Sequence, residues 1–309
     1  MNKRGLKSVF LTDATQHLYQ RCVDHGIIFY TLEDRLVYYT LSAVNARRHH
    51  VVVTSAAIMF SHIHQGARAS SLKAIGDYIH DTNTSFARLY NFRHHRKGRL
   101  FQKPPGRAQK SSDKSKRTNQ IYIYNNHVEK RLCRRAVEER WSLLAYAGSD
   151  HPFSQPVDIK KASKALQKAI RLVDRRSRKL EGLEYVDLDR IMPALDKVER
   201  EQFVDYVISR YAWVDYKASV ALFGSYDQLV IAADSTTGSE YDINEDYNGE
   251  SDRPYLELIA FAKSKGILDR IYSLDAGRKV EHIFEAMRCT SATPHHLKSF
   301  FHTDIKLVK

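Results

Sequence analysis

The stretch Val51-Val52-Val53-Thr54-Ser55-Ala56-Ala57-Ile58-Met59-Phe60-Ser61-His62-Ile63-His64 decides how this 309-residue chain reads. Apart from Thr54 and Ser55 its first ten residues are apolar. They are rich in β-branched side chains and read as a buried strand over residues 51–60. That strand runs into His62-Ile63-His64. Residues two apart on a strand point to one side, so the two imidazoles share a face. Imidazoles so placed can bind one divalent metal and leave positions open for substrate oxygens. Read alone, the pair is unspecific, and two partly exposed histidines beside a basic surface explain it more simply.

Working outward, residues 26–31 (Gly-Ile-Ile-Phe-Tyr-Thr) read as another strand and 32–48 as a helix. Apolar spacing at Leu72, Ile75, Ile79, Phe86 and Leu89 predicts a helix over 70–91. Arg99-Leu100-Phe101-Gln102 is strand-like. Residues 103–119, with Pro-Pro-Gly and a Lys/Ser mixture, read as a mobile loop. A helix follows over 120–135, then an aromatic anchor from Trp141 to Tyr146. Strands interleaved with helices predict an α+β fold. Residues 148–157, with Pro152 and Pro156, mark a boundary between residues 1–150 and a mainly helical accessory part, 151–309. Within the latter, 158–183 is basic and amphipathic, 186–223 supplies further helices, and 235–252 reads as an acidic loop. Helices are also expected over 255–265, 277–287 and 293–301. The last reads equally as half of a helix-turn-helix or as a capping helix.

Composition fits a folded chain, with 43% hydrophobic residues, 18 Tyr and 13 Phe. The net charge is +13, unevenly spread. Residues 1–150 hold 25 basic against 11 acidic residues, and the remainder 24 against 25. A basic first half favours a polyanionic partner, nucleic acid over a merely solubilising surface. The longest apolar run is too short to span a bilayer, so no membrane partner is expected. The first ten residues show no apolar signal-peptide core. Cys22, Cys133 and Cys289 are far apart and odd in number, which fits reduced thiols in the cytoplasm and no zinc site.

Two further elements carry candidate chemistry. In Tyr122-Ile123-Tyr124-Asn125-Asn126, Tyr122 and Asn126 share one helix face. A tyrosine hydroxyl attacks a phosphodiester when a metal polarises the phosphate, and the Asn126 carbonyl can be a third ligand to that metal. Tyr122 taken alone is more often a packed aromatic. Tyr124, on another face, is the rival nucleophile. The basic run Arg93, Arg96, Lys97, Arg99, Lys103 and Arg107, with Tyr90, Phe92 and Phe101 beside or among it, suits single-stranded or distorted nucleic acid. A solvated charged hairpin is the plainer reading.

The order of these elements resembles that of the REP-associated tyrosine transposases, in the HUH single-tyrosine transposase superfamily. Ile58-Met59-Phe60-Ser61-His62-Ile63-His64 is similar to their Met-Pro-Asn-His-Val-His strand end. Arg88-Leu89-Tyr90-Asn91-Phe92-Arg93 leads into Gly98-Arg99-Leu100-Phe101-Gln102, as a Tyr-Asn-Arg-Arg helix leads into Gly-His-Leu-Trp-Gln in the family. Tyr122-Ile123-Tyr124-Asn125-Asn126-His127-Val128 resembles Tyr-Ile-His-Leu-Asn-Pro-Val, and Trp141-Ser142 with Tyr146 matches its Trp-Ser tail. The resemblance covers about residues 25–150. It implies a ferredoxin-like antiparallel sheet as HUH palm, with His62, His64 and Asn126 holding Mg²⁺ or Mn²⁺. It also implies Tyr122 as nucleophile, a 5′-phosphotyrosine intermediate on single-stranded or hairpin DNA, and a homodimer in which the 103–119 loop frees the Tyr122 helix. His127 in place of proline, Phe60-Ser61 in place of Pro-Asn, and Gln65-Gly66 after the histidines depart from the family. The alternative is a non-cleaving nucleic-acid-binding or regulatory protein on the same fold.

Overall fold

The computed structural model describes residues 9–235 and 250–303. Strand β1 (Thr15–Arg21), helix α1 (Leu32–Arg48), strands β2 (Val52–Ile58) and β3 (His62–Arg68), helix α2 (Leu72–Arg93) and strand β4 (Gly106–Lys110) follow in that order. They build one four-stranded sheet, β2-β3-β1-β4, with every neighbouring pair antiparallel. Helix α3 (Asp113–Glu129) comes next. The remainder is helical: α4 (Lys164–Arg178), α5 (Tyr185–Ile191), α6 (Lys197–Tyr211), α7 (Tyr216–Ala221), α8 (Tyr226–Ser235), α9 (Arg253–Ser264), α10 (Ala276–Cys289) and α11 (Pro294–Phe301). The chain is therefore α+β, with a mainly helical second half.

Strand alternation gives the sheet two different faces. Leu18, Ile63 and Ala67 join Val37, Tyr78 and Phe86 in the core under α1 and α2. Gln65 is on that face too and accepts from the Tyr78 hydroxyl at 2.6 Å. His17, Tyr19, His62 and His64 alternate with these residues and turn to the opposite face, where α3 lies. The core continues from Leu18 through Val173, Phe203 and Val214, so the stretches on either side of residue 150 share it. A second cluster joins Ile27, Tyr30 and Phe60 to α9, α10 and α11.

One buried carboxylate ties several elements together. Thr31 and Asp34 form the capping box that starts α1. Asp34 Oδ2 accepts from the backbone N–H of Tyr30 and Thr31, at 3.0 and 2.9 Å. Its Oδ1 accepts from His94 Nε2 at 3.0 Å and from the Tyr185 hydroxyl at 2.7 Å. Burial alone would raise the Asp34 carboxyl. The His94 charge, with the hydrogen bonds from His94, Tyr185 and Thr31, outweighs that and holds it below the usual carboxylate range.

Several expectations need correction. Residues 26–31 are extended but lie outside the sheet. The N–H groups of Ile28 and Phe29 both donate to the Phe60 carbonyl, at 2.7 and 3.0 Å, and that of Ile27 to Ser299. Their apolar side chains join the two core clusters instead of facing a neighbouring strand. Arg99-Leu100-Phe101-Gln102 contributes a single bridge, Phe101 with Cys22. Residues 103–119 are not a loop, because they hold β4 and the first turns of α3. As an edge strand, β4 needs few apolar residues: Gln16 donates to Gln109 Oε1 at 3.0 Å and accepts from Arg107 at 2.6 Å. The Ser112 side chain caps α3 by accepting from Ser115 N–H. Gln65-Gly66 continue β3, and a Cβ on Gly66 would come within 2.6 Å of Ser55 Oγ. Helix α11 buries Leu297, Phe300 and Phe301, which makes it a capping helix. Of the expected 235–252 loop, residues 236–249 lie outside the described residues.

Candidate active site

The sheet face under α3 gathers five aromatic or imidazole rings, those of His17, Tyr19, His62, His64 and Tyr122. On β3, His62 lies across from Arg21 of β1, and His64 across from Tyr19. The His62 and His64 ring centroids are 4.8 Å apart. Tyr122 descends from α3, its ring 5.7 Å from that of His64 and 5.8 Å from that of His17. His62, His64 and Tyr122 therefore meet on one face although the chain separates them by some sixty residues. Tyr122 packs with Ala57 and Ile123. Only 8% of Tyr122 and none of His64 is exposed, whereas His62 is half-buried, so α3 covers Tyr122 and His64 and leaves His62 at the edge.

His17 is the residue that sequence reading missed. Its Nε2 lies 3.0 Å from His64 Nδ1, and its Nδ1 lies 2.5 Å from Asn119 Oδ1 on α3. With the amide oxygen as acceptor, His17 carries its hydrogen on Nδ1. His17 Nε2 then accepts from His64 Nδ1–H, and the lone pair of His64 is left on Nε2. The local signal was the alternation His17-Leu18-Tyr19, hidden in a strand whose other residues are mostly polar.

Electrostatics favour neutral imidazoles here. Burial pushes His64 down to about 3, helped by the positive charges of Arg21 and His127. His62 is also held well below its ordinary value, first by burial and then by His64, Arg21, Lys130 and His127. Neutral histidines keep the lone pairs that a metal needs. Asn126 sits one turn beyond Tyr122, and its Nδ2 donates to the Tyr122 carbonyl at 2.9 Å. Its amide hydrogens are thereby turned to the helix backbone, with a second, longer contact to the Ile123 carbonyl at 3.4 Å. Among the described residues no group of three or more His, Cys, Asp and Glu side chains is arranged to hold a metal. Two imidazoles with an amide oxygen would leave a divalent ion positions for water and phosphate oxygens.

The rival Tyr124 is fully buried. Its hydroxyl donates to the Thr54 carbonyl at 3.4 Å and lies 2.9 Å from Ser219 Oγ. Burial raises its phenol far above the ordinary range. His127, in the family's proline position, bonds through Nε2 to the Ile58 carbonyl at 3.2 Å and ties α3 to β2. The second half also clasps α3: Gln120 donates to Ser219 Oγ at 2.6 Å on α7, and Asn125 to the Ala233 carbonyl at 2.8 Å on α8. The expected loose tether for the Tyr122 helix is therefore replaced by a strand paired to β1 and a helix held from outside.

The basic run divides. Arg93 pairs with Asp189 at 3.0 Å and lies over Tyr185. Arg96 bonds to Asn91, Gly98 and Arg99 and lies over Tyr272. Both are committed to the fold. Lys97, Arg99, Lys103 and Arg107 are exposed. Of the rings expected among them, Tyr90 and Phe101 are buried, and Phe92 is 86% exposed. Arg99 and Lys103, with Phe101, Pro104, Pro105 and Asn83, line a cavity of about 650 Å³ against α2.

No protein-family model and no curated protein matches the chain. Among solved structures it is similar to one described as a REP-associated tyrosine transposase bound to a REP hairpin. The TM-score is 0.40 and the identity 11%, over 46% of this chain and 84% of that one. A likeness so distant says nothing about chemistry, which must stand on the residues themselves. The three cysteines are free, and no described helix is long and apolar enough to cross a membrane.

Proposed function

We propose that this chain is a metal-dependent transposase or endonuclease that cleaves and rejoins single-stranded or hairpin DNA, with Tyr122 as nucleophile. The reading rests on one observation: the Tyr122 ring stands within 6 Å of His64 on the face that also carries His62. The β-α-β-β-α-β order of the first six elements supports a ferredoxin-like palm. His62 and His64, with the Asn126 oxygen, would hold Mg²⁺ or Mn²⁺. The ion's part is to polarise the scissile phosphate and offset its developing charge.

The protein's own groups do the rest. The Tyr122 oxygen bonds to phosphorus and the P–O3′ bond breaks. The phenol proton is matched by the proton gained on the 3′-hydroxyl. The DNA is left joined to Tyr122 through its 5′-phosphate. Attack by another 3′-hydroxyl reverses the step and rejoins the strand without outside energy. His17 holds His64 with Nε2 toward the ligand side. Arg21, opposite His62, sets a cation at the edge of the site. In this reading the protein works in the cytoplasm, and a homodimer is part of the proposal.

Chelation tests the metal role. EDTA should stop cleavage of a hairpin oligonucleotide and added Mg²⁺ or Mn²⁺ should restore it; cleavage that persists in EDTA removes the metal from the scheme. His17→Phe keeps a ring in place but removes its nitrogens. It should weaken Mn²⁺ binding about 10–100-fold in titration calorimetry, the usual cost of losing a group that orients a ligand. Unchanged affinity would leave His17 a packing residue. A non-cleaving nucleic-acid binder is the second reading, and the burial of Tyr122 under a clasped α3 favours it. Cleavage that appears with metal and disappears with EDTA decides against the binder.

A further inference from the structure

The second half is electrically neutral only in sum. Residues 160–179 hold nine Lys and Arg against one acid, Asp174. They centre on α4, where Lys164, Lys168, Arg171, Arg175 and Arg178 are exposed. Their spacing of four, three, four and three residues sets them in one row along the helix, about 21 Å long at ~1.5 Å per residue. Asp174 is turned under the row, where Arg210 pairs with it at 2.7 Å and Tyr206 donates to it at 2.9 Å. The opposite face of α4, Leu166, Ala169, Ile170 and Val173, is buried in the core.

Such a row is a poor way to stabilise a helix. Like charges three and four residues apart repel, and Lys164 opposes the helix dipole at the N-terminal end. Glutamates between the cations would relieve both effects, and none is there. The apolar face is already used, so α4 has nothing left to insert into a lipid surface. No aromatic residue stands in the row, which removes the stacking that holds single strands. What remains is a straight line of cations, which fits the regularly spaced phosphates of a duplex. Arg176 is outside the row and pairs with Asp187 and Glu181, so the surface cations are those of the row itself.

We propose that α4 is a second DNA surface, one that grips the backbone of a duplex stem without reading its sequence. This rests on the reading of the chain as a DNA-handling protein, but not on cleavage by Tyr122. The test compares native protein with Lys164→Gln/Lys168→Gln/Arg171→Gln/Arg175→Gln, using a blunt, fully paired hairpin over a range of salt. At ~0.9 per phosphate contact, the slope of log affinity against log salt should flatten by about 3 to 4. Affinity at low salt should fall more than about tenfold, and covalent attachment to an unpaired oligonucleotide should not change. The charge-keeping pair Arg171→Lys/Arg175→Lys should retain the slope, and it keeps the test usable if the quadruple variant melts early. An unchanged slope and affinity in a folded quadruple variant overturns the proposal. So does a loss confined to anionic vesicles or to an acidic protein partner. Absence of a covalent adduct in the native protein would count against the Tyr122 reading and leave stem binding standing.

Discussion

Tyr122→Phe is expected to remove covalent attachment to a single-stranded hairpin oligonucleotide, by about 10³-fold or more, while binding changes less than about threefold. Phenylalanine keeps the ring that packs against His64 and His17 and with Ala57 and Ile123. The phenol oxygen is the one group lost. An electrophoretic assay for the protein–DNA adduct, run beside a binding titration, separates the two effects. A variant that still forms adducts would move the nucleophile elsewhere, with Tyr124 the weakest substitute because its hydroxyl is already engaged by Ser219 and Thr54.

The second large effect concerns stability. Asp34→Ala should cost about 3–5 kcal/mol, read as a lower midpoint in urea. Four donors converge on this carboxylate: the N–H groups of Tyr30 and Thr31, His94 Nε2 and the Tyr185 hydroxyl. Alanine leaves them all without an acceptor where water does not reach, and also removes half the capping box of α1. Because α1 and α2 pack on the sheet and α5 packs on α1, the loss should be global. Asp34→Asn keeps one acceptor oxygen and should cost less. A loss under 1 kcal/mol for the alanine variant would mean that the network is not what joins α1, α2 and α5.

How much could be read beforehand depends on where side chains point. The strand leading to His62 and His64 was legible because β2 is buried on both sides and its residues are almost all apolar. Helix α2 was legible from its apolar spacing. The 120–126 stretch was legible because Tyr122 and Asn126 share a face. Strand β1 was not, since Gln16, His17 and Gln20 are buried through hydrogen bonds that no hydropathy pattern reveals. The same holds for β4, whose Arg107 and Gln109 bond to Gln16. His17 was lost with its strand. The meeting of His64 with Tyr122 depends on the sheet order, which places β3 beside β1 and lays α3 across both. The basic, amphipathic stretch 158–183 was legible, and α4 sets its exposed cations in one row although acids elsewhere make the second half neutral in sum.

The central claim is that Tyr122, lying over His62 and His64, is the atom source for the DNA link. The most direct measurement is mass spectrometry of the DNA-linked peptide, taken from native protein incubated with Mg²⁺ or Mn²⁺ and a hairpin oligonucleotide carrying an unpaired tail. The account predicts a single adduct, a 5′-phosphate on the α3 peptide at Tyr122. An adduct on any other residue, or strand cleavage that leaves no protein-bound DNA, would contradict it.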